Sequence, residues 1–441
     1  MSQVTATLAS ATIESLVRDQ GRSTRLSLLA DKLQPSAILK VAGEIRAMQA
    51  AGQDVCDLTV GDFDPKHFPI PEKLRDAAKA ALDAGATNYP PAAGLPTLRD
   101  SVLRFYARHL GLDYPLDSVL IAAGARPLIY ALFRVVVNPG DTVSYPVPCW
   151  NYPFYADILS AQGDAVVCAP EDAFQPRTGA LDEAIRKASL IIVNTPLNPT
   201  GTVTPRAAIL KLSEAMVREN EAREKRGERP VYLMYDHIYW MLSFGVEHVT
   251  PCALVPEMAK YTILIDGMSK AFAATGLRVG WAVGPVDVIA RMNTLLMHMG
   301  GWAPKPEQTA SAVMLDDDDA IAKYHAVLKP AIERRLVALH RGFQKLKLAG
   351  YPVDSIEPTG AIYVSARVFP FGKKTANGQQ IETNEDVRRF LLEGAGLGVV
   401  PFQAFGVPGE TGWMRLSVGS VSEAQIESGL ARLETALKAL I

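Results

Sequence analysis

Asp266-Gly267-Met268-Ser269-Lys270-Ala271-Phe272-Ala273-Ala274-Thr275-Gly276-Leu277-Arg278-Val279-Gly280 is the stretch on which the reading of this chain turns. An apolar, strand-like run, Tyr261 to Ile265, leads into it and breaks into small residues, so a lysine arrives where a buried strand ends. Eight residues later Arg278 stands between Gly276 and Gly280, with little side-chain bulk to keep the second cation from the first. Such a pair can hold a phosphate with one cation and react through the other.

Working outward, the flanking runs set the fold class. Val119 to Ala122, Thr142 to Tyr145, Ala165 to Cys168, Leu190 to Val193, Val231 to Tyr235 and Val279 to Val283 are short, continuous and apolar, with helical patterns between several of them. Strands of that kind alternating with helices predict an α/β fold: a large domain with a mainly parallel seven-stranded sheet between helices. Helices are expected over Pro71 to Ala84, over Thr97 to Leu110 with Thr97 and Asp100 as a capping box, and from Pro127, as first residue, to Val137. Beyond Asp316-Asp317-Asp318-Asp319 a long helical pattern runs to about Leu348, its acidic start placed where the helix dipole favours negative charge. Strands at Val353 to Ile356, Ala361 to Val368 and Met414 to Val418, with helices at Asp386 to Glu393 and Glu423 to Leu440, read as a smaller α+β domain.

The N-terminal side is expected to complete that smaller domain. After Ser36 a helix-period series, Ile38, Val41, Ile45 and Met48, ends at Gly52, and Val55 to Val60 reads as a strand running into the turn Gly61-Asp62-Phe63-Asp64-Pro65. The resulting division is 1–35 as an extension or arm, with a helical look over Thr12 to Arg18 and Leu26 to Leu33; 36–66 with 322–441 as the small domain; and 67–321 as the large one.

Composition narrows the function classes. A chain of 441 residues with 48% hydrophobic residues can bury one large core and a smaller one. A net charge of -2 offers no basic field for nucleic acid, so anion recognition should be local. Cys56, Cys149, Cys168 and Cys252 show neither metal nor disulfide spacing and suit a reducing compartment. No run of about 20 apolar residues appears and Met1 to Ser10 lacks the pattern of an export leader, so a cytoplasmic protein without membrane contact is expected. The charged run Arg218 to Arg229 reads as a solvated helix end and loop.

Several chemical groups fall at strand ends, where open α/β sheets place ligands. Gly124-Ala125-Arg126 opens a helix whose free backbone N–H groups can bind phosphate. Trp150 is a flat ring in the turn-rich Pro148 to Pro153, a core filler more often than a ligand platform. Asn198-Pro199-Thr200-Gly201 fixes an amide in a turn. Asp236 ends an apolar strand, with Tyr239 three residues on, and an acid there must be solvated or paired. Arg415 lies in the short apolar segment Trp413 to Val418.

In this order the groups resemble the class I/II aminotransferases of fold type I, the aspartate aminotransferase superfamily, which use pyridoxal 5′-phosphate. The resemblance runs from about Ser36 to the C-terminus and is strongest over Gly267 to Gly280. It implies that Lys270 holds the cofactor aldehyde as a Schiff base and later shuttles a proton, a role that needs a neutral amine. It implies that Asp236 pairs with the pyridine nitrogen, that Tyr239 and Asn198 bond the ring's phenolic oxygen, and that Trp150 stacks on the ring. Arg278, with Gly124, Ala125 and Arg126, would hold the phosphate; Tyr89 would reach it from the neighbouring subunit of a homodimer. Arg415 would bind the substrate α-carboxylate through two parallel hydrogen bonds, with Gly61 closing over it. No metal is expected. The implied reaction moves an amino group between an L-amino acid and a 2-oxo acid.

The pattern departs from the family at two points. Many relatives carry a serine where this chain has Gly267, so one phosphate contact is expected to be missing, and Pro127 removes a backbone donor inside the helix. Arg126 has two readings, a phosphate ligand or the reader of an acidic substrate side chain, and His298 is a second candidate for the latter. The same fold also supports C–S lyases, synthases and decarboxylases. Some relatives are transcription regulators with a DNA-binding domain ahead of this fold, but the 35 residues before Ser36 carry no basic helix pair.

Overall fold

The chain first enters a sheet at β1 (Cys56–Asp57), shorter than the strand expected over Val55 to Val60. The structure, a computed structural model, describes residues 27, 29, 30, 33, 37–177 and 179–441. The helix expected over Thr12 to Arg18 lies outside the described residues, as does most of Leu26 to Leu33, where Leu29 and Ala30 are helical. Residues 37–441 form one compact unit. Within it, Ala37–Ala50 is the helix expected after Ser36.

The apolar runs then build one seven-stranded sheet from β2 (Val119–Ala122), β3 (Thr142–Val147), β4 (Gln162–Val167), β5 (Ala188–Asn194), β6 (Tyr232–Asp236), β7 (Thr262–Gly267) and β8 (Gly280–Val283). Their spatial order is β2-β8-β7-β6-β5-β3-β4. All neighbours are parallel except β8, which runs antiparallel to both β2 and β7. Alternation along the strands explains the double cover. Leu233, Tyr235 and Leu264 join one buried cluster with Phe105, Tyr106 and Trp281, while Met234, Ile263 and Ile265 join another with Phe133, Val143 and Ile192. At about 1.5–3 kcal/mol for each fully buried large apolar side chain, both faces hold the strands in register.

The smaller sheet is antiparallel, in the order β12 (Val400–Pro401), β13 (Trp413–Ser417), β10 (Tyr363–Val368), β9 (Val353–Ser355); β11 (Leu397–Gly398) pairs in parallel with β1. The helix Asp318–Leu348 contributes Leu328, Ile332, Leu336, Leu339, Phe343 and Leu346 to its core, the spacing of a single helical face. Asp318 and Asp319 lie in its first turn, where the acidic run was expected, and Asp317 in addition caps the helix through its side chain.

Two starts differ from expectation. Thr97 caps nothing: the helix is Pro96–Leu110 with Leu95 at its N-cap, because Pro96 presets the helical φ one residue earlier and puts Thr97 inside the first turn. Likewise Pro127 is the third residue of the helix Ala125–Val136, which opens at Gly124. There the missing N–H is one the first turn leaves unpaired in any case. The charged run Arg218 to Arg229 does end a helix, Arg206–Arg226, though Arg223 is buried and donates to the carbonyls of Ile185, Arg186 and Ala188.

What positions the site is the register. Asn194 lies opposite Asp236, and Asp236 opposite Ile265, so the carboxyl ends of β5, β6 and β7 come level. Because β8 is antiparallel, its first residue, Gly280, meets both the last of β7, Gly267, and the last of β2, Ala122. One end of the sheet therefore collects Asp236, the turn to Lys270, Gly280 and the Gly124 turn.

Candidate active site

Lys270 sits in the short helix Met268–Ala271 that caps β7, and its Nζ donates to the Gly61 carbonyl at 2.7 Å. Its pKa is lowered to about 8, first by burial, against an opposing pull from Asp62, and then by the cations Arg415, Arg278 and Arg126. A lysine held there is partly neutral near physiological pH, a condition for acting as a base. Two aromatic rings flank it: Nζ stands 5.7 Å from the Tyr239 ring centre and 5.9 Å from that of Phe63.

Asp236 is buried at the end of β6. Tyr152 Oη donates to its Oδ2 at 2.6 Å and the Ile238 N–H to its Oδ1 at 3.2 Å. Burial raises its pKa to about 6 and these two donors pull it down. Its backbone is tied as well: Asn194 Nδ2 donates to the Asp236 carbonyl at 2.8 Å, and Asn194 Oδ1 accepts from the Asn198 N–H at 2.9 Å. One buried amide thus sets both the acid and the turn that carries Asn198.

Arg415, on β13, is buried between Tyr363 and Phe405, its guanidinium carbon 4.9 Å from each ring centre. Nη1 donates to Asn198 Oδ1 at 3.2 Å and Nη2 to the Thr59 carbonyl, while Nε has no partner among the described residues. Using Oδ1 for the arginine leaves the Asn198 amide N–H groups to point elsewhere. Tyr239 Oη lies 2.6 Å from Tyr363 Oη.

Two glycines of the opening motif, Gly267 and Gly280, and Gly124 in the facing turn are explained by close approach, whereas Gly276 has open space around it. A Cβ on Gly280 would lie 2.6 Å from the Gly124 carbonyl carbon, and one on Gly124 would lie 2.4 Å from Arg278 Nη2. Arg278 itself has φ 55, a left-handed conformation costing about 1–2 kcal/mol, and donates to the carbonyls of Thr275 at 2.8 Å and Ala123 at 3.1 Å. Gly267 has the same kind of origin: its Cβ would meet the Val279 carbonyl oxygen at 2.7 Å and Gly280 Cα at 2.9 Å. A serine does not fit there while β7 and β8 are this close.

Arg126 is exposed at the start of the helix Ala125–Val136 and lies 4.9 Å over the Trp150 ring; no hydrogen bond or ion pair holds it among the described residues. The structure thus brings together Gly61, Gly124, Ala125, Arg126, Trp150, Asn198, Asp236, Tyr239, Lys270, Arg278 and Arg415. It does not bring Tyr89 to them within one chain: that ring is 82% exposed and touches Trp302 edge-on at 5.3 Å. His298 lies in the last turn of the helix Val286–Met299.

Sequence reasoning passed over Tyr152, Asn194 and Tyr363. Tyr363 lies in an apolar strand that reads as core and Tyr152 in the turn-rich Pro148 to Pro153, and only their hydroxyl partners reveal them. Behind the site, Asp266 accepts from the Gly267 N–H at 2.7 Å, Trp240 Nε1 at 2.9 Å and Tyr106 Oη at 3.2 Å. Tyr106 Oη also meets His237 Nε2 at 2.9 Å and accepts from Trp281 Nε1 at 3.0 Å. This buried chain joins the ends of β6 and β7 to the helix Pro96–Leu110.

Comparison with known proteins places this geometry. Residues 53–433 match the family model described as aminotransferase class I and II. The chain is 30% identical to an aspartate aminotransferase of Geobacillus stearothermophilus, over 94% of this chain and 99% of that one. It is equally similar, at 30% identity, to a probable aspartate/prephenate aminotransferase of Rhizobium leguminosarum bv. phaseoli, over 93% and 98%. Among solved structures, the aspartate aminotransferase of Thermus thermophilus with maleate superposes with a TM-score of 0.83 at 29% identity, over 93% of this chain and 99% of that one. For the aspartate aminotransferase of Rhizobium meliloti the TM-score is 0.85 at 29% identity, over 95% and 100%. With a half-buried lysine at the carboxyl end of β7 and matches along nearly its whole length, the chain belongs to the class I and II aminotransferases, pyridoxal-phosphate-dependent enzymes that move an amino group between an amino acid and a 2-oxo acid.

Proposed function

We propose that the enzyme is an aspartate/glutamate-type aminotransferase in which Arg126 reads the substrate's distal carboxylate. The observation that carries this is the Arg126 guanidinium, exposed, without a protein partner among the described residues, and steadied over Trp150. Such a group can meet a carboxylate with two parallel hydrogen bonds without first breaking an internal one. In the same direction, the related Thermus enzyme was solved with maleate, a dicarboxylate, and several relatives are named for aspartate.

The residues fit the cofactor. A buried acid, a partly neutral lysine, a cation beside two side-chain-free glycines and an uncapped helix start match its ring nitrogen, aldehyde and phosphate. When bound, pyridoxal phosphate supplies the aldehyde and an electron-accepting ring. In our reading, Asp236, steadied by Tyr152, holds a proton on the ring nitrogen. Tyr239 and the free amide N–H of Asn198 donate to the ring oxygen, Trp150 covers the ring, and Arg278 with the N–H groups at Gly124 to Arg126 holds the phosphate. Arg415 grips the α-carboxylate with Gly61 beside it, and Lys270 Nζ takes the proton from the α-carbon.

We further assign 67–321 to cofactor binding, 36–66 with 322–441 to the smaller part that brings Arg415, and 1–35 to an extension. Tyr89, exposed and unpaired by hydrogen bonds among the described residues, is read as reaching a second copy's phosphate in a homodimer. Four buried free cysteines support a cytoplasmic setting. No described helix is long and apolar enough to cross a membrane.

The test is a screen of amino donors against 2-oxoglutarate and oxaloacetate for wild type and Arg126→Ala. The expected result is a kcat/KM for aspartate reduced at least tenfold in the variant with a neutral donor little changed, on the order of one charged hydrogen-bond pair. Equal losses for both donors, with weaker cofactor binding, would assign Arg126 to the phosphate instead.

A further inference from the structure

Two hydroxyls 2.6 Å apart share one line, and only one hydrogen can lie on it. Tyr239 Oη and Tyr363 Oη form such a pair, both buried, with no other hydrogen-bond partner among the described residues. Tyr363 stands between two functions. Its ring lies 4.9 Å beneath the Arg415 guanidinium, its diagonal neighbour across β10 and β13, and its hydroxyl packs so closely on Gly61 that a Cβ there would come within 2.6 Å. If Tyr239 donated to Tyr363, only lone pairs would remain on Tyr239 to face an electron-rich ring oxygen, and the two would repel. If Tyr363 donates, the Tyr239 hydrogen is free for that oxygen.

Resting on the reading of Tyr239 as a donor to the cofactor's ring oxygen, we propose that Tyr363 is a positioning residue: it donates to Tyr239 and so aims and strengthens the hydrogen bond that Tyr239 gives to the cofactor. The series Tyr363, Tyr239, ring oxygen then has one polarity, and each donor polarises the next. It also places the phenol that supports Tyr239 directly under the arginine that serves the substrate, on a strand of the smaller sheet.

The experiment follows the pH midpoint of the visible absorbance of the lysine-bound cofactor in wild type, Tyr363→Phe, Tyr239→Phe and the double variant, with cofactor affinity and Tm measured alongside. A donor on the ring oxygen withdraws electron density and eases loss of the neighbouring proton, so a weaker donor raises the midpoint. With strengthening of roughly 10–30% per bond, Tyr363→Phe should raise it by about 0.2–0.5 pH unit. Tyr239→Phe should raise it further, and the double variant should equal Tyr239→Phe. Should Tyr363→Phe fold poorly, p-aminophenylalanine at position 363, which keeps a donor, should hold the midpoint nearer wild type than Tyr239→Phe does. An unchanged midpoint in Tyr363→Phe, or an equal shift in the Tyr239→Phe background, would overturn the proposal. Absence of any visible band in wild type saturated with the cofactor would instead reject the lysine reading, and the proposal with it.

Discussion

Replacing Gly124 with alanine tests the phosphate grip through one atom. The residue has φ 86 and ψ -179, a region open to glycine and costing about 1–3 kcal/mol for other residues. The new methyl would lie 2.4 Å from Arg278 Nη2 and 2.9 Å from its Cζ, so the guanidinium must leave the carbonyls of Thr275 and Ala123. The end of a flexible side chain can move, so the fold should survive with Tm lower by a few degrees. The ligand should feel more: loss of one charge-assisted contact, about 1.5–3 kcal/mol, corresponds to pyridoxal phosphate binding roughly 10–150-fold weaker. Titrating apoenzyme with the cofactor and following the visible band measures this directly. Arg278→Ala should lose a similar factor, and the two changes together should lose little more than either alone. Affinity within twofold of wild type in Gly124→Ala, or full additivity in the double variant, would refute the claim that Gly124 is glycine to make room for a phosphate-holding Arg278.

Other expectations follow from the same geometry. Lys270→Met removes an ammonium whose pKa is depressed from 10.5 to about 8. The folded apoenzyme therefore binds fewer protons than the unfolded chain between those values. The destabilisation is full below about pH 8 and fades as pH rises through 10.5, so the variant should be more stable at pH 7, by up to about 3 kcal/mol, and no more stable near pH 11 in urea unfolding. Arg415→Lys should reduce kcat/KM for every amino donor by about 100-fold with cofactor affinity retained, since an ammonium cannot replace the fork that spans Asn198 and Thr59; unchanged kinetics would remove Arg415 from the carboxylate site. Tyr106→Phe strips a shared partner from Asp266, His237 and Trp281 together. With about 1–3 kcal/mol for a buried polar group left unpaired, it should cost at least that in unfolding free energy, and a loss below 0.5 kcal/mol would show the chain to be slack.

How far the sequence led depended on whether a residue's role was local. Asp236 ends an apolar strand and Lys270 follows one closely, so their place at the carboxyl end of the sheet was legible from where the hydrophobic run stops. Arg415 was legible as a cation in a strand that should have no room for one. Tyr363 was not, because an aromatic residue in a strand is the ordinary core pattern and its meaning comes from Tyr239, far away in sequence. Gly267 was legible as the place of an absent serine, but not as a steric requirement of the β7–β8 approach, which no spacing rule contains. The capping box at Thr97 failed because Pro96, one residue before, settles the helix start by its fixed φ.

The most direct measurement of the central claim is chemical. Enzyme saturated with pyridoxal phosphate is reduced with borohydride, digested and sequenced by mass spectrometry. The account predicts a single pyridoxyl-bearing lysine, Lys270, and its disappearance, with the visible band, in Lys270→Ala. A reduced cofactor found on another lysine, or a visible band that survives in Lys270→Ala, would contradict it.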